Sequence, residues 1–159
     1  MTVQIGDAIP DVNLKVLGGQ GPQDVSSGEI FNGKKVVMFA VPGAFTPTCS
    51  AAHLPGFVAN ADKIKAKGVD TIVCVSVNDP FVMDAWGKGQ NAEEIMMLAD
   101  PAGELATAMG TELDGTGFGL GKRSSRYSLI AEDGKITALN LEQGGAYEVS
   151  SAEAILEAL

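Results

Sequence analysis

The chain has 159 residues, the length of one ordinary domain, and its composition of 45% hydrophobic and 19% charged residues is that of a globular protein, not a disordered one. Its 20 acidic residues against 11 basic ones leave a net charge of -9. That charge repels phosphate backbones and anionic membrane surfaces, so neither a nucleic acid nor a membrane is an expected partner.

The N-terminal stretch MTVQIGDAIPDVNLKV has no basic region followed by an apolar run, and the longest apolar stretch, Val36 to Pro42, is far short of the ~20 residues of a membrane helix. Cys49 and Cys74 are the only cysteines. A cytoplasmic location is therefore expected, with both thiols kept reduced unless one turns over chemically. No fixed-period repeat, low-complexity tract or interior linker divides the chain, and residues 1–159 are read as a single domain.

Lys35 to Val41 and Thr71 to Val77 are short β-branched apolar runs, the pattern of strands buried on both faces. Between them, Cys49 to Lys67 carries Leu54, Phe57, Val58, Ala61 and Ile64 at helical spacing, with Lys63, Lys65 and Lys67 near its C-terminal end and Gly68 as a stop signal. Pro55 lies inside this run and is expected to kink it. Asn78 or Asp79 caps the next helix, which has Pro80 in its first turn and continues through Phe81, Met83 and Trp86.

Ile95 to Ala99 reads as a strand, Gly103 to Met109 as a short helix and Gly115 to Gly121 as a loop. Tyr127 to Ala131 and Ile136 to Leu141 flank an Asp133-Gly134 turn, a β-hairpin signal. Ser150-Ser151-Ala152-Glu153 reads as a capping box before a terminal helix. Strands alternating with helices, then a hairpin and a last helix, predict an α/β fold with a central mixed β-sheet and helices on both faces.

The chemistry is expected where the first central strand meets its helix, in Val41-Pro42-Gly43-Ala44-Phe45-Thr46-Pro47-Thr48-Cys49, because reactive groups concentrate at the carboxyl ends of such strands. A cysteine in a first helical turn sits beside unpaired N–H groups and the positive end of the helix dipole, which favour the thiolate. The competing reading is an inert buried thiol, since free cysteine is among the most buried residue types.

Pro42, Thr46 and Cys49 fit a Pro-x-x-x-Thr-x-x-Cys pattern, and on these residues the chain resembles the peroxiredoxins. The segments VPGAFTPTCSAAHLPGF (Val41 to Phe57), SVNDPFVMDAWG (Ser76 to Gly87), LADP (Leu98 to Pro101) and RYSLIAEDGKITALNLE (Arg126 to Glu142) are similar to the peroxiredoxin-5 type, which includes the plant type II proteins. This resemblance implies a thioredoxin-like fold and a thiol-dependent peroxidase. It makes Cys49 the peroxidatic nucleophile, with Thr46 orienting the peroxide, Pro42 shielding the thiolate from water, and Arg126 activating both partners. It also implies a homodimer formed through the face that carries the active-site loops.

A magnitude divides the labour among these residues. An unperturbed thiol, with a pKa of ~8.5, is already about 3% thiolate at pH 7, so full ionisation gains only about 30-fold. Enzymes accelerate reactions by at least about 10⁶-fold, so positioning and hydrogen bonding in the transition state must supply most of the effect. Thr46 and Arg126 are thus expected to matter beyond the ionisation of Cys49.

His53, the only histidine, follows Cys49 by one helical turn. Two ligands are too few for a structural zinc site, and the choice lies among a direct acid/base partner of Cys49, a residue supporting the pocket and one that merely packs or caps. Cys74, within an apolar strand, reads first as a buried core thiol, although some plant-type relatives place a second cysteine there that joins in disulfide formation. The animal proteins of this type carry a resolving cysteine near the C-terminus, where this chain has Val149.

Regeneration of Cys49 is therefore expected to use an external thiol, glutathione with glutaredoxin first and thioredoxin second, and no cofactor. The Gly115 to Gly121 segment is no phosphate-binding fingerprint, and Lys122 and Arg123 read as solvated charges or a positive rim near Arg126. A dithiol oxidoreductase is disfavoured by the missing Cys-x-x-Cys. A peroxide sensor that relays oxidation from Cys49 to a partner protein is the remaining alternative.

Overall fold

A computed structural model describes residues 1–159. A seven-stranded sheet runs through the chain in the order β2-β1-β5-β4-β3-β8-β9. Its centre is formed by β3 (Lys35–Ala40), β4 (Thr71–Ser76) and β5 (Met96–Ala99), which are parallel. The antiparallel hairpin of β8 (Tyr127–Glu132) and β9 (Lys135–Leu141) pairs with β3 on one side. The sheet is mixed, as the sequence predicts.

Both faces of β3 are buried, and its alternation divides the core in two. Val37 and Phe39 face α2 (Leu54–Ala66), α3 (Pro80–Gly89) and α5 (Ala152–Ala158), in a cluster with Phe57, Ile64, Trp86 and Ile155. Val36, Met38 and Ala40 lie on the other face with residues of α1 (Ser27–Phe31) and α4 (Glu104–Met109). No helix is long and apolar enough to cross a membrane.

Several local details differ from the sequence reading. The hairpin of β1 (Asn13–Gly18) and β2 (Gly21–Ser26), with the capped helix α1, precedes the first predicted strand, and β1 joins the sheet beside β5. β1 is half-buried, with Leu14 in the core, while β2 is polar and half exposed, and neither carries a long apolar run to announce it. The glycine-rich loop is the connection of a second small sheet, β6 (Glu112–Asp114) with β7 (Lys122–Ser124), and contains a single 3-10 turn at Thr116–Phe118. At the last helix the cap is Ser151, whose hydroxyl accepts from the Ala154 N–H; Ser150 is not the cap, because its hydroxyl bonds elsewhere.

The helix that follows β3 begins at Pro47 and passes through a π-turn at Cys49–His53 before α2. Leu54 N–H bonds to the Cys49 carbonyl, five residues back. Pro55, next in line, has no N–H to give and its ring would meet the carbonyl four residues back. The wider turn accommodates both, so the expected kink takes the form of a π-turn that begins at the cysteine.

Candidate active site

Cys49 is fully buried at the start of this π-turn, beyond the C-terminal end of β3. Arg126 immediately precedes β8, the antiparallel neighbour of β3, and Ala40 of β3 pairs with Tyr127. That register brings a residue 77 positions away to the same end of the sheet. Arg126 Nη2 donates to Cys49 Sγ at 3.4 Å, and Arg126 Nη1 lies 2.9 Å from His53 Nδ1.

The guanidinium is itself buried, 3% exposed, and 5.7 Å above the Tyr147 ring, within cation–π range. Its Nε has no partner in the protein. A buried donor without a partner is costly, and here it is a donor in reserve beside the sulfur.

His53 is held from every side. Its Nε2 lies 2.9 Å from the Ser150 carbonyl, which only accepts, so Nε2 carries the proton and Nδ1 accepts from Arg126. The ring packs among Phe39, Phe57 and Tyr147, with centroids 5.0, 5.6 and 5.1 Å away. Burial first, and the Arg126 charge second, push its pKa down to about 3, against the Ser150 bond and Glu142, which raise it. The imidazole is neutral at physiological pH.

The loop Pro42 to Thr46 leads from β3 into the helix that carries Cys49, with Pro42 and Thr46 half-buried. Thr46 Oγ1 donates to the Gly43 carbonyl at 2.6 Å. Ala44 N–H bonds to Asn78 Oδ1 at 3.0 Å, so Asn78 pins the loop and Asp79 is the cap of α3. Arg123 is not the solvated charge that its place beside Lys122 suggests. It donates from Nε to the Leu120 carbonyl and from Nη1 to the Pro42 carbonyl, and its guanidinium sits where a Gly43 side chain would lie.

Of the six residues singled out in the sequence, Cys49, Arg126 and His53 form one hydrogen-bonded cluster, and Pro42 and Thr46 lie in the loop beside it. Cys74 is in β4, buried among apolar side chains. Burial pushes its thiol up, and the charge of Cys49 adds to that. Sequence reasoning missed Tyr147, Ser150 and Glu142, whose segment meets the cluster only through tertiary structure. Three clefts elsewhere on the surface are not lined by Cys49; one of about 460 Å³ lies among Leu17, Met96 and Lys88.

The arrangement suits attack by sulfur on a small electrophile. The Cys49 sulfur is shielded from water and a fixed cation donates to it.

Comparison with known proteins agrees with this geometry. Residues 4–156 match the Redoxin family model. Peroxiredoxin-2C of Oryza sativa subsp. japonica is 50% identical over 159 residues, covering 99% of this chain and 98% of the relative, and Peroxiredoxin-2D of Arabidopsis thaliana is 48% identical with the same coverage. The crystal structure of reduced Prx3 from Vibrio vulnificus in complex with hydrogen peroxide superposes with a TM-score of 0.95, at 54% identity over 99% of each chain. The expected thioredoxin-like fold is the one observed, and the chain belongs to the Redoxin family and, within it, to the peroxiredoxins, its thiol-dependent peroxidases.

Proposed function

We propose that this protein reduces hydrogen peroxide and organic hydroperoxides at Cys49. The thiolate sulfur attacks one peroxide oxygen, the O–O bond breaks, and its electron pair leaves with the second oxygen, which takes a proton and departs as water or an alcohol. Sulfur gives up two electrons and becomes a sulfenic acid.

The observation that carries this reading is the donor pair from Arg126 to Cys49 Sγ and His53 Nδ1 in a buried site. A guanidinium fixed in this way stabilises charge on sulfur before attack, and its unpartnered Nε is a donor for the departing oxygen. Thr46 supports orientation. Its hydroxyl proton is committed to Gly43, which leaves oxygen lone pairs to accept from a peroxide O–H. Pro42 contributes a carbonyl to Arg123, and its proposed role is to shield the thiolate from water.

An external thiol regenerates the enzyme. It condenses with the sulfenic acid, releasing water and forming a mixed disulfide, and a second thiol displaces Cys49. Glutathione with glutaredoxin is the first choice and thioredoxin the second. Val149 stands where a C-terminal resolving thiol would be, and Cys74 is a protonated core thiol. No metal or organic cofactor is needed, because sulfur is both nucleophile and electron donor. A cytoplasmic, reducing compartment supplies the thiols.

The test is turnover of hydrogen peroxide and tert-butyl hydroperoxide with glutaredoxin, glutathione and NADPH, comparing wild type with Cys49→Ser and Cys74→Ala. Turnover abolished in Cys49→Ser alone is the expected result. Loss in both variants would assign Cys74 a catalytic part. Wild-type protein inactive with glutaredoxin and with thioredoxin would favour the sensor alternative.

A further inference from the structure

Glu142 closes β9 from the far side of the site, one residue past Leu141, and is 5% exposed. Its Oε2 accepts four hydrogen bonds: from the N–H groups of Glu148, Val149 and Ser150 at 2.8, 2.9 and 2.9 Å, and from Ser150 Oγ at 2.6 Å. Bonds to an ionised acceptor are roughly twice as strong as neutral ones, and three successive N–H groups converging on one oxygen fix a loop that has no regular structure of its own. The carbonyl of Ser150 then points at His53 Nε2.

Glu142 also reaches the cluster from its other end, since its own N–H donates to the Arg126 carbonyl at 3.0 Å. One residue thus holds the backbone of Arg126 and, through Ser150, the acceptor that decides which nitrogen of His53 is protonated. A ring with Nε2 protonated offers Nδ1 to Arg126; the opposite tautomer would set an N–H against a guanidinium N–H.

We propose that Glu142 is a positioning residue for peroxide reduction, acting along the path Glu142, Ser150, His53, Arg126 to Cys49. The inference rests on the peroxidase reading above. Release of the loop frees the Ser150 carbonyl, His53 loses its single tautomer, and Arg126 loses one of the two acceptors that orient its planar head. A displacement of about 1 Å in a catalytic donor costs up to about 100-fold in rate.

The sole histidine makes this path directly observable. In wild type, ¹⁵N NMR of the imidazole should show one tautomer, protonated at Nε2. Glu142→Gln, nearly isosteric but uncharged, should give a mixture of tautomers and a second-order rate of Cys49 oxidation by hydrogen peroxide lowered about tenfold or more, with the cooperative unfolding transition retained. A rate within about twofold of wild type would overturn the proposal, and so would a slower rate with the His53 signal unchanged. Should Glu142→Gln not fold, Ser150→Ala removes one donor of the clasp and must change both readouts in the same direction; no change in either overturns it. Failure of the peroxidase reading is distinct, because wild type would then react with peroxide no faster than Cys49→Ser.

Discussion

Arg126 Nη1 lies 2.9 Å from His53 Nδ1, and because a guanidinium only donates, the imidazole nitrogen that faces it bears no proton. His53 therefore does not take the proton of Cys49: its one free lone pair is already occupied by Arg126. On the proposed mechanism the histidine one turn from the cysteine aims the arginine. With the pKa of His53 pushed down to about 3, its resonances should not titrate between pH 4.5 and 8, and the pH profile of peroxide reduction should contain no ionisation that His53→Gln removes. A histidine signal titrating near pH 6.5 would contradict the assignment.

On the proposed mechanism Arg126 is expected to contribute to the reaction itself and not only to charge on the sulfur. Removing a preorganised donor from a transition state typically costs about 10²–10³-fold, whereas thiolate fraction alone accounts for at most about 30-fold. Arg126→Ala should lower the second-order rate with hydrogen peroxide by about 100-fold or more, and alkylation of Cys49 by iodoacetamide much less. Arg126→Lys should recover little, because a single ammonium cannot span Sγ and Nδ1 as the fork does. A rate for Arg126→Ala within a few-fold of wild type would remove Arg126 from the mechanism.

The same histidine links stability to pH. Its folded-state pKa, about 3, lies below the ordinary value of 6.5, so between these values the unfolded chain binds a proton that the folded protein does not. Stability from this group is complete above pH 6.5 and is lost as pH falls toward 3. Between pH 6 and 5, above the carboxylate range, the loss should approach about 1.4 kcal/mol per pH unit in urea unfolding. His53→Gln should flatten that segment of the curve, and an unchanged slope would count against a buried neutral His53.

Cys74 is a core residue whose chemistry is suppressed by its surroundings. It pairs in register with Phe39 inside a parallel sheet buried on both faces, and its thiol is pushed up by burial. Cys74→Ala should retain peroxide turnover within about twofold while lowering stability by about 1 kcal/mol, in proportion to the small volume lost. Cys74→Ser should cost more, because it leaves a hydroxyl among apolar neighbours. A disulfide between Cys74 and Cys49 after one equivalent of peroxide, detected by mass spectrometry, would overturn this reading.

What the sequence made legible follows the range of the interactions. The apolar runs of β3, β4 and β8 are local signals, and so are Asp79 before Pro80 and Asp133-Gly134 in the hairpin, and each is where it was expected. The β1–β2 hairpin was not, because the alternation of Leu14 and Val16 is too short a signal and β2 is polar, and Ser150 was misread because its hydroxyl is claimed by Glu142, eight residues earlier. In the site, Cys49 and Arg126 stand in recognisable words, but the bonds joining them to His53, Ser150 and Glu142 span up to 97 residues and have no local pattern. Arg123 looked like one more exposed cation until the β6–β7 pair folded it onto Pro42.

The homodimer that the resemblance implies, formed through the face of the active-site loops, is expected to cover exposed phenylalanines there. Phe45, in that loop, is 61% exposed and held at a φ of +67°, a conformation unfavourable for a bulky side chain; Phe81, in the first turn of α3, is 58% exposed, and Phe118, in the 3-10 turn, is 90% exposed. Asn78 ties the start of α3 to the loop, and Arg123 ties the turn to it, so the segments that carry the three rings are joined by hydrogen bonds. Burying each ring against a second copy is worth about 1.5–3 kcal/mol. Sedimentation at micromolar protein should give a dimer, and Phe45→Asp combined with Phe118→Asp should shift it to monomer with the far-UV spectrum unchanged. Because the loop that carries Phe45 also carries Thr46, the monomeric variant should react more slowly with peroxide as well. A wild-type monomer would overturn the dimer, and a variant dimer of unchanged strength would place the self-association on another face.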